Sequence, residues 1–344
     1  MIIDAAKHNL KNLLNLPDGR VYAAGGVNGP YFDLETPVRN SAHWLITYSI
    51  LSSECSDKAF SKAANALLDF LLSPHRFESN GVYLHRQKHG KDWSNGVIGQ
   101  AWVIEALAIA GRFLERDDAL RHAEKVSRYF PFDQSVSAWL RVDLRTKRGS
   151  IDYTLNHQLW YASALSELKD EEHDKRIVLF MDMLSAGGIK VALNGRIHHL
   201  MHSVSFKGGF LRLRYLLGDV RQEHSRRNKE VGYHLYNLHP LARLRRRFPS
   251  HSLFASQEVL GAVKYAAGTE FIDSLEQNNF AYPYNAPGFE LPVVATEFGF
   301  TGNVDAVIER QISKTFMQHN GLIGFMRNTP DPLTLNARIY EYLI

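Results

Sequence analysis

Residues 38–72 read VRNSAHWLITYSILS (38–52), SECS (53–56) and DKAFSKAANALLDFLL (57–72). The first string is apolar or aromatic on nearly every side of a helix, as suits a helix enclosed on all faces. The third repeats apolar residues at helical spacing beside a charged face, the pattern of a helix lying on an outside. A short polar link joins them, so the pair is a helical hairpin. The alternation recurs down the chain. Enclosed helices are predicted at 96–111, 152–165 and 231–247, and surface helices at 117–129, 172–186, 252–266 and 303–317. The enclosed helices begin near residues 38, 95, 153 and 231. The longer last step contains an inserted β-hairpin at about 188–218, signalled by alternating residues around Asn194-Gly195. A fifth enclosed segment is expected in the proline-broken stretch 292–300 and a sixth at 334–343, with Ile2–Leu14 as the sixth outer helix. Six inner and six outer helices make an all-α (α/α)6 toroid, a single domain over 1–344. An open solenoid of the same hairpins is the competitor, but aromatics on every side of the enclosed helices suit the wall of a closed ring better.

Composition agrees with a folded protein: 45% hydrophobic and 22% charged residues exclude a disordered chain. A net charge of +4 is too mild for a nucleic-acid partner. Arg243, Arg245, Arg246 and Arg247 close a helical pattern, where cations complement the helix dipole. One cysteine, Cys55, excludes an internal disulfide and a thiolate metal cluster, in keeping with a reducing compartment. No apolar run approaches the roughly 20 residues of a membrane span, and the start lacks the pattern of a signal peptide. The expected location is cytoplasmic. No cofactor is expected: Gly25-Gly26-Val27-Asn28-Gly29-Pro30 is turn chemistry, not a nucleotide fingerprint. No metal is expected either, because His198, His199 and His202 fall in a segment read as extended.

Polar residues are costly on an enclosed helix unless they face a cavity. They recur here at the helix starts: Arg39, Asn40 and His43; Asp92, Asn95 and Gln100; Asp152, Asn156 and His157; Tyr233, His234, Tyr236 and Asn237; Glu290 and Glu297; Asn336, Arg338 and Tyr340. In a toroid all six sets surround one mouth. Each residue taken singly has an ordinary reading as a cap or a satisfied core group, but their coincidence at one end does not. Helix N-termini converging there favour an anionic ligand. The densest group runs Ile151-Asp152-Tyr153-Thr154-Leu155-Asn156-His157-Gln158-Leu159-Trp160-Tyr161-Ala162. Read as helix from Asp152, it pairs Asp152 with Asn156 on one face, and burial beside Trp160 and Tyr161 is expected to raise the Asp152 pKa toward that of a general acid. Trp44, Trp93, Trp102 and Trp160 offer flat faces for sugar rings.

Ile151-Asp152 with Asn156, Leu159 and Tyr161-Ala162 resembles the segment of unsaturated glucuronyl hydrolases that bears their catalytic aspartate, and Trp93-Ser94 with Gly99-Gln100-Ala101-Trp102 is similar to another of their inner-helix signatures. That resemblance implies an (α/α)6 toroid with Asp152 as the acid that protonates the vinyl ether of an unsaturated uronic acid. Two features depart from the family: Asn95 to Ile98 intervene in the second signature, and His157 replaces an apolar residue. Asp33, Glu35 and Asp92 are the candidates for the second carboxylate. Asn156-His157 with Trp160 is similar instead to the Asn-His motif of toroidal alginate lyases, and Gly232 to Leu238 resembles the Tyr-His helix of glucuronyl epimerases. Those resemblances imply proton abstraction beside a uronate carboxylate, with His157 or Tyr233 as base, Tyr236 as acid, and Asn156 with Arg39 or Arg338 as carboxylate clamp. The site expected is thus Asp152, His157 and Tyr233 for catalysis, with Arg39, Asn40, His43, Trp93, Gln100, Asn156, Trp160, His234, Tyr236, Asn237 and Arg338 binding an acidic oligosaccharide or polysaccharide. Hydrolysis stands first among the reactions, lyase or epimerase chemistry second, and a non-catalytic glycan-binding scaffold third.

Overall fold

Burial divides the helices into the two kinds that periodicity distinguishes. The computed structural model describes residues 2–14, 21–73, 78–79, 81–144, 148–202, 220–319, 322–326 and 328–344. Its helices are α1 (Ile2–Leu14), α2 (Val38–Glu54), α3 (Lys58–Leu72), α4 (Gly96–Phe113), α5 (Asp117–Ser127), α6 (Leu155–Ser166), α7 (Glu171–Met183), α8 (Val220–Gly232), α9 (His234–Arg247), α10 (Gln257–Ala266), α11 (Thr269–Ser274), α12 (Pro287–Phe298), α13 (Val304–Thr315) and α14 (Pro332–Ala337). Every residue from Val38 to Leu51 of α2 is buried, as is every residue from Gly96 to Gly111 of α4. By contrast α3 buries only Phe60, Ala63, Ala64, Leu67, Leu68 and Leu71, one stripe at helical spacing.

The enclosed helices pack in a ring. α2 contacts α4, α4 contacts α6, α6 contacts α9 and α9 contacts α12; α12 then meets the 3-10 segment Arg338–Tyr342, which returns to α2. Closure excludes the solenoid. Outside it, α3, α5, α7, α10 and α13 each lie on the inner helix that precedes them, and α1 packs on α2 and α3. The outer helices α3, α7 and α10 are started by side chains: Asp57 accepts from Ala59 N, Asp170 from Glu172 N and His173 N, and Ser256 from Val259 N. The two ends of the chain are clasped by Asp331, whose carboxylate accepts from Val27 N at 3.0 Å, Gly29 N at 3.2 Å and Thr334 N at 3.2 Å. α4 is long and apolar enough to cross a membrane, yet it is almost wholly buried as part of the inner wall.

Three local expectations are corrected. Pro292 does not break its segment: α12 starts on Pro287, in the first turn where a proline sacrifices no helix bond, and continues through Pro292 while packed between α9 and the closing segment. The sixth inner segment is α14 followed by a tighter 3-10 turn, not one helix. Helix α6 begins at Leu155, leaving 152–154 extended after the sheet β1 (Phe132–Asp133), β2 (Ala138–Val142) and β3 (Gly149–Ile151). The insertion does turn back at Asn194-Gly195 as an antiparallel pair, with the bridge Val191↔Ile197, Ala192 N donating to Arg196 O at 2.8 Å and His198 N to Lys190 O at 2.9 Å; its residues 203–219 lie outside those described. It is also stitched to the start of α6: Leu155 N donates to His199 O and Met201 N to Tyr153 O, both at 3.0 Å.

Candidate active site

A cleft of about 200 Å3 opens at the end of the ring where the inner helices begin. Its wall is assembled from Arg39 on α2, Asn95 and Ile98 at the start of α4, Trp102 one turn further on, Asn156 and His157 on α6, and Tyr233 and Tyr236 at the start of α9. Loops at the same end add Asn28, Tyr31, Asp33, Arg86, Lys91, Thr154 and His199, with Lys229, Tyr284 and Asn285 leading into α9 and α12.

The central pair is Asp152 and His157. Because the chain is extended at Asp152, its carboxylate folds over the first turn of α6 instead of sharing a helix face with Asn156. Oδ2 meets His157 Nδ1 at 2.8 Å and accepts from Val97 N at 3.4 Å, and Oδ1 accepts from Thr154 N at 3.2 Å. Burial alone would raise the Asp152 pKa, but the adjacent His157 and these N–H donors outweigh it and hold the carboxyl down to about 2. The expected raised pKa is therefore wrong. The carboxylate stays ionised behind the cleft wall and steadies His157, which faces the cleft.

This pair exists because Asn95 and Gly96 both take left-handed backbone, at φ 58° and 63°. A Cβ on Gly96 would stand 2.2 Å from Asp152 Oδ2 and 2.9 Å from His157 Nδ1. Gly96→Ala is thus expected to displace the pair, lowering activity on the order of tenfold or more while costing roughly 1–3 kcal/mol of stability; turnover and urea unfolding measured together check it. The depressed pKa carries a second expectation. A carboxylate whose folded pKa lies below its unfolded value near 3.8 lends stability above that value and loses it as pH falls through about 2. Asp152→Asn should remove roughly 2 kcal/mol that wild type holds at pH 5 and leave the two proteins alike below pH 2, as read from acid-unfolding curves.

Opposite His157 lies a string of phenols. Tyr31 and Tyr233 hydroxyls are 3.2 Å apart, Tyr233 donates to Tyr284 at 3.1 Å, and Tyr284 donates to Asn28 Oδ1 at 3.0 Å. Burial drives the pKa of Tyr233 far above the ordinary value, and burial likewise raises Tyr236. Both are protonated phenols suited to donating. Tyr233 as base is corrected on that ground. His199 stands edge-on to the Tyr233 ring with centroids 5.4 Å apart, kept neutral by burial and by the charge of Lys229. Arg39 lies over the Trp102 ring at 4.1 Å and is ion-paired to buried Glu35 at 3.2 Å, and the buried Asn95 and Asn156 Oδ1 atoms meet no partner among the described residues.

Several expected binding residues hold the wall from behind. Arg338 is buried and saturated: it donates to Glu290 at 2.5 Å, to Glu341 at 2.8 and 2.9 Å, to Asn285 Oδ1 at 2.7 Å and to Tyr284 O at 3.0 Å. It is a foundation for Tyr284 and Asn285, not a clamp. Gln100 pins Tyr83 through both its amide atoms. Asn40 donates to Ala24 O, Asn237 to Tyr233 O, and Trp160 to Tyr236 O. His234 accepts from Ile197 N at 3.3 Å and bonds Ala262 O at 3.0 Å, anchoring the inserted turn. His43 is buried beneath the cleft between Trp102 and Tyr340. Trp93 is 47% exposed and outside the lining, its carbonyl accepting from His85 N and Arg86 N. Among the carboxylate candidates, Asp33 lines the cleft but is paired with Lys88 and Lys91, Glu35 is paired with Arg39, and Asp92 caps Ser94 and Gly96. Cleft residues such as Tyr31, Arg86, Lys229 and Tyr284 carry no sequence signal, because they lie in loops or on a helix whose period says nothing of the site.

The closed ring with its cleft defines the protein as an (α/α)6 toroid, the fold of a group of carbohydrate-active enzymes. The chain is similar in structure to a sugar epimerase from a ruminal bacterium (TM-score 0.66, 13% identity, covering 100% of this chain and 98% of that one). It is also similar to cellobiose 2-epimerase from Bacillus thermoamylovorans (0.65, 11%, 99% and 96%) and to an unsaturated glucuronyl hydrolase specific for heparin (0.58, 9%, 99% and 96%). No family model matches the sequence. It is 35% identical to archaeal glycosylation protein Q of Haloferax volcanii over 95% of this chain and 92% of the relative, and the chain belongs to the family of that protein.

Proposed function

We propose that this protein is a sugar epimerase or isomerase that removes and returns a proton at a carbon beside a carbonyl or carboxylate, with a uronic acid unit as the substrate fitted best. The observation that carries this reading is the Asp152–His157 contact of 2.8 Å at the cleft wall, facing protonated phenols. In this reading His157 takes the C–H proton through its second ring nitrogen, and the resulting imidazolium is stabilised by the ionised Asp152. The electron pair moves onto the substrate oxygen as an enolate, which Arg39 and a phenol hydroxyl stabilise. The proton then returns: from the imidazolium to the neighbouring carbon in an isomerisation, with a hydroxyl proton passing between the two substrate oxygens, or from the Tyr233 hydroxyl to the opposite face in an epimerisation, which leaves a phenolate and an imidazolium that are reset by proton exchange with solvent. Hydrolysis of an unsaturated uronide would instead need a protonated carboxyl facing the sugar, and an Asp152 held near 2 behind His157 is ill suited to it. The small cleft favours one sugar residue over a long stretch of polymer, since it falls below the roughly 300–1,000 Å3 typical of sites for drug-sized ligands. The name of the relative, a glycosylation protein, supports a place in glycan construction.

The test is incubation in D2O with uronate-terminated and hexose-terminated oligosaccharides, followed by NMR and ultraviolet absorbance. Deuterium appearing on a ring carbon without an unsaturated product is the expected result. A rise in the absorbance of unsaturated uronate would mean elimination. Consumption of unsaturated ends, with deuterium added only at the former double bond and none exchanged into saturated sugars, would restore the hydrolase reading.

A further inference from the structure

The cleft holds more positive charge than the proton chemistry uses. Four cations line it, Arg39, Arg86, Lys91 and Lys229, against one carboxylate, Asp33. Arg39 is matched by Glu35, and Lys91 shares Asp33 with Lys88 at 3.7 and 2.6 Å. Lys229 and Arg86 form no ion pair with a carboxylate among the described residues, although Arg86 is near enough to Asp33 and Glu35 to act on both electrostatically, and the Arg86 Nε atom is buried without a hydrogen-bond partner among them. The Lys229 ammonium lies 5.6 Å from the Tyr31 ring centre and 5.7 Å from that of Tyr233. Burial, with the charge of Lys91, lowers its pKa to about 8, as expected of an ammonium held half out of water with no counterion. Such an arrangement costs stability unless a ligand supplies the missing negative charge.

Resting on the sugar-processing reading above, we propose that Arg86, Lys91 and Lys229 form a phosphate subsite, so that the substrate is a glycosyl phosphate or diphosphate and not a free sugar or the interior of a glycan. Geometry sets the phosphate next to the reacting sugar ring: the Lys229 ammonium lies 5.7 Å from the centre of the Tyr233 ring, His199 meets the same ring edge-on, and all three line one cleft with His157. Two cations that form no ion pair among the described residues match a dianion better than the single charge of a uronate, and a guanidinium beside ammonium groups is an established way of holding phosphate oxygens. The carboxylate or carbonyl of the sugar remains with Arg39, on the Trp102 side of the cleft.

Inorganic pyrophosphate is the probe, titrated calorimetrically into the full-length protein at fixed ionic strength. Wild type is expected to bind it, Lys229→Met and Arg86→Gln to bind at least tenfold more weakly, and Lys264→Met, at an exposed site on α10, to match wild type within twofold. No binding at millimolar pyrophosphate, or equal binding by wild type, Lys229→Met and Arg86→Gln, overturns the subsite. Deuterium exchange on a nucleoside diphosphate sugar and on a polyprenyl diphosphate sugar then identifies the carrier: faster exchange than on the free sugar with either supports the subsite, and no preference for either over the free sugar overturns it. Exchange on free sugar without pyrophosphate binding sinks the subsite alone. Pyrophosphate binding without exchange on any sugar sinks the proton-transfer reading alone.

Discussion

His157→Gln is expected to reduce proton exchange at the sugar carbon by roughly 10²–10⁴-fold, the range usual for loss of a general base. KM should move little, because binding is left to Arg39, Asn156 and the phenols that line the same cleft. Asp152→Asn should cost a similar factor although it never touches the sugar. Its carboxylate accepts from Nδ1 and stabilises the imidazolium, and an amide of the same shape offers no charge and can present an N–H to that nitrogen. The two variants separate the reactions. In a proton-abstracting enzyme both fall together in deuterium exchange, and Tyr233→Phe falls with them if inversion requires its hydroxyl. If Asp152→Asn abolished cleavage of unsaturated uronides while His157→Gln retained it, the aspartate would be the acid and the present assignment would fail.

The largest expected loss of stability belongs to Arg338→Met, at roughly 3–5 kcal/mol, read as the shift in urea midpoint. The guanidinium is 1% exposed and neutralises two carboxylates, Glu290 and Glu341, that are equally buried. Removing it strands both. Burial already pushes their pKa values up even with the arginine in place, so in the variant they would take up protons, and its stability should fall more steeply than that of wild type as pH rises through neutrality. The triple variant Arg338→Met, Glu290→Gln, Glu341→Gln should recover a large part of the loss, because uncharged groups of like volume do not need the arginine. An unchanged midpoint in Arg338→Met would mean that the closing segment of the ring is held by apolar packing alone.

The arginine run is a local case in which position in a pattern was enough. Arg243, Arg245, Arg246 and Arg247 end α9, and each finds a partner at the far end of the ring from the cleft. Arg243 bonds buried Glu105 and also Glu167, Arg245 and Arg246 bond Glu297, and Arg247 bonds Asp174. Asp152 is the opposite case. Its local sequence suggested a helix start and a carboxyl kept protonated by aromatic neighbours, but the sheet β1–β3 ends directly before it and the left-handed turn at Asn95-Gly96 comes in from another part of the chain. Those two features point the carboxylate at His157, and neither is encoded within reach of residue 152.

Hydrophobic periodicity was sufficient to separate inner from outer helices, because enclosure on every side and enclosure on one stripe leave different repeats in the residues themselves; closure of those hairpins into a ring was decided by Arg338–Tyr342 packing on both α12 and α2. The same logic placed ionisable groups at one mouth. Which of them meet the cleft depends on rotamers, on loops that fold over the rim and on protons shared between distant residues. Arg338 and His157 both sit early in inner segments and look alike as polar residues in apolar surroundings. Only their neighbours in space, two buried carboxylates for one and an open cavity backed by Asp152 for the other, make the first a support and the second a base.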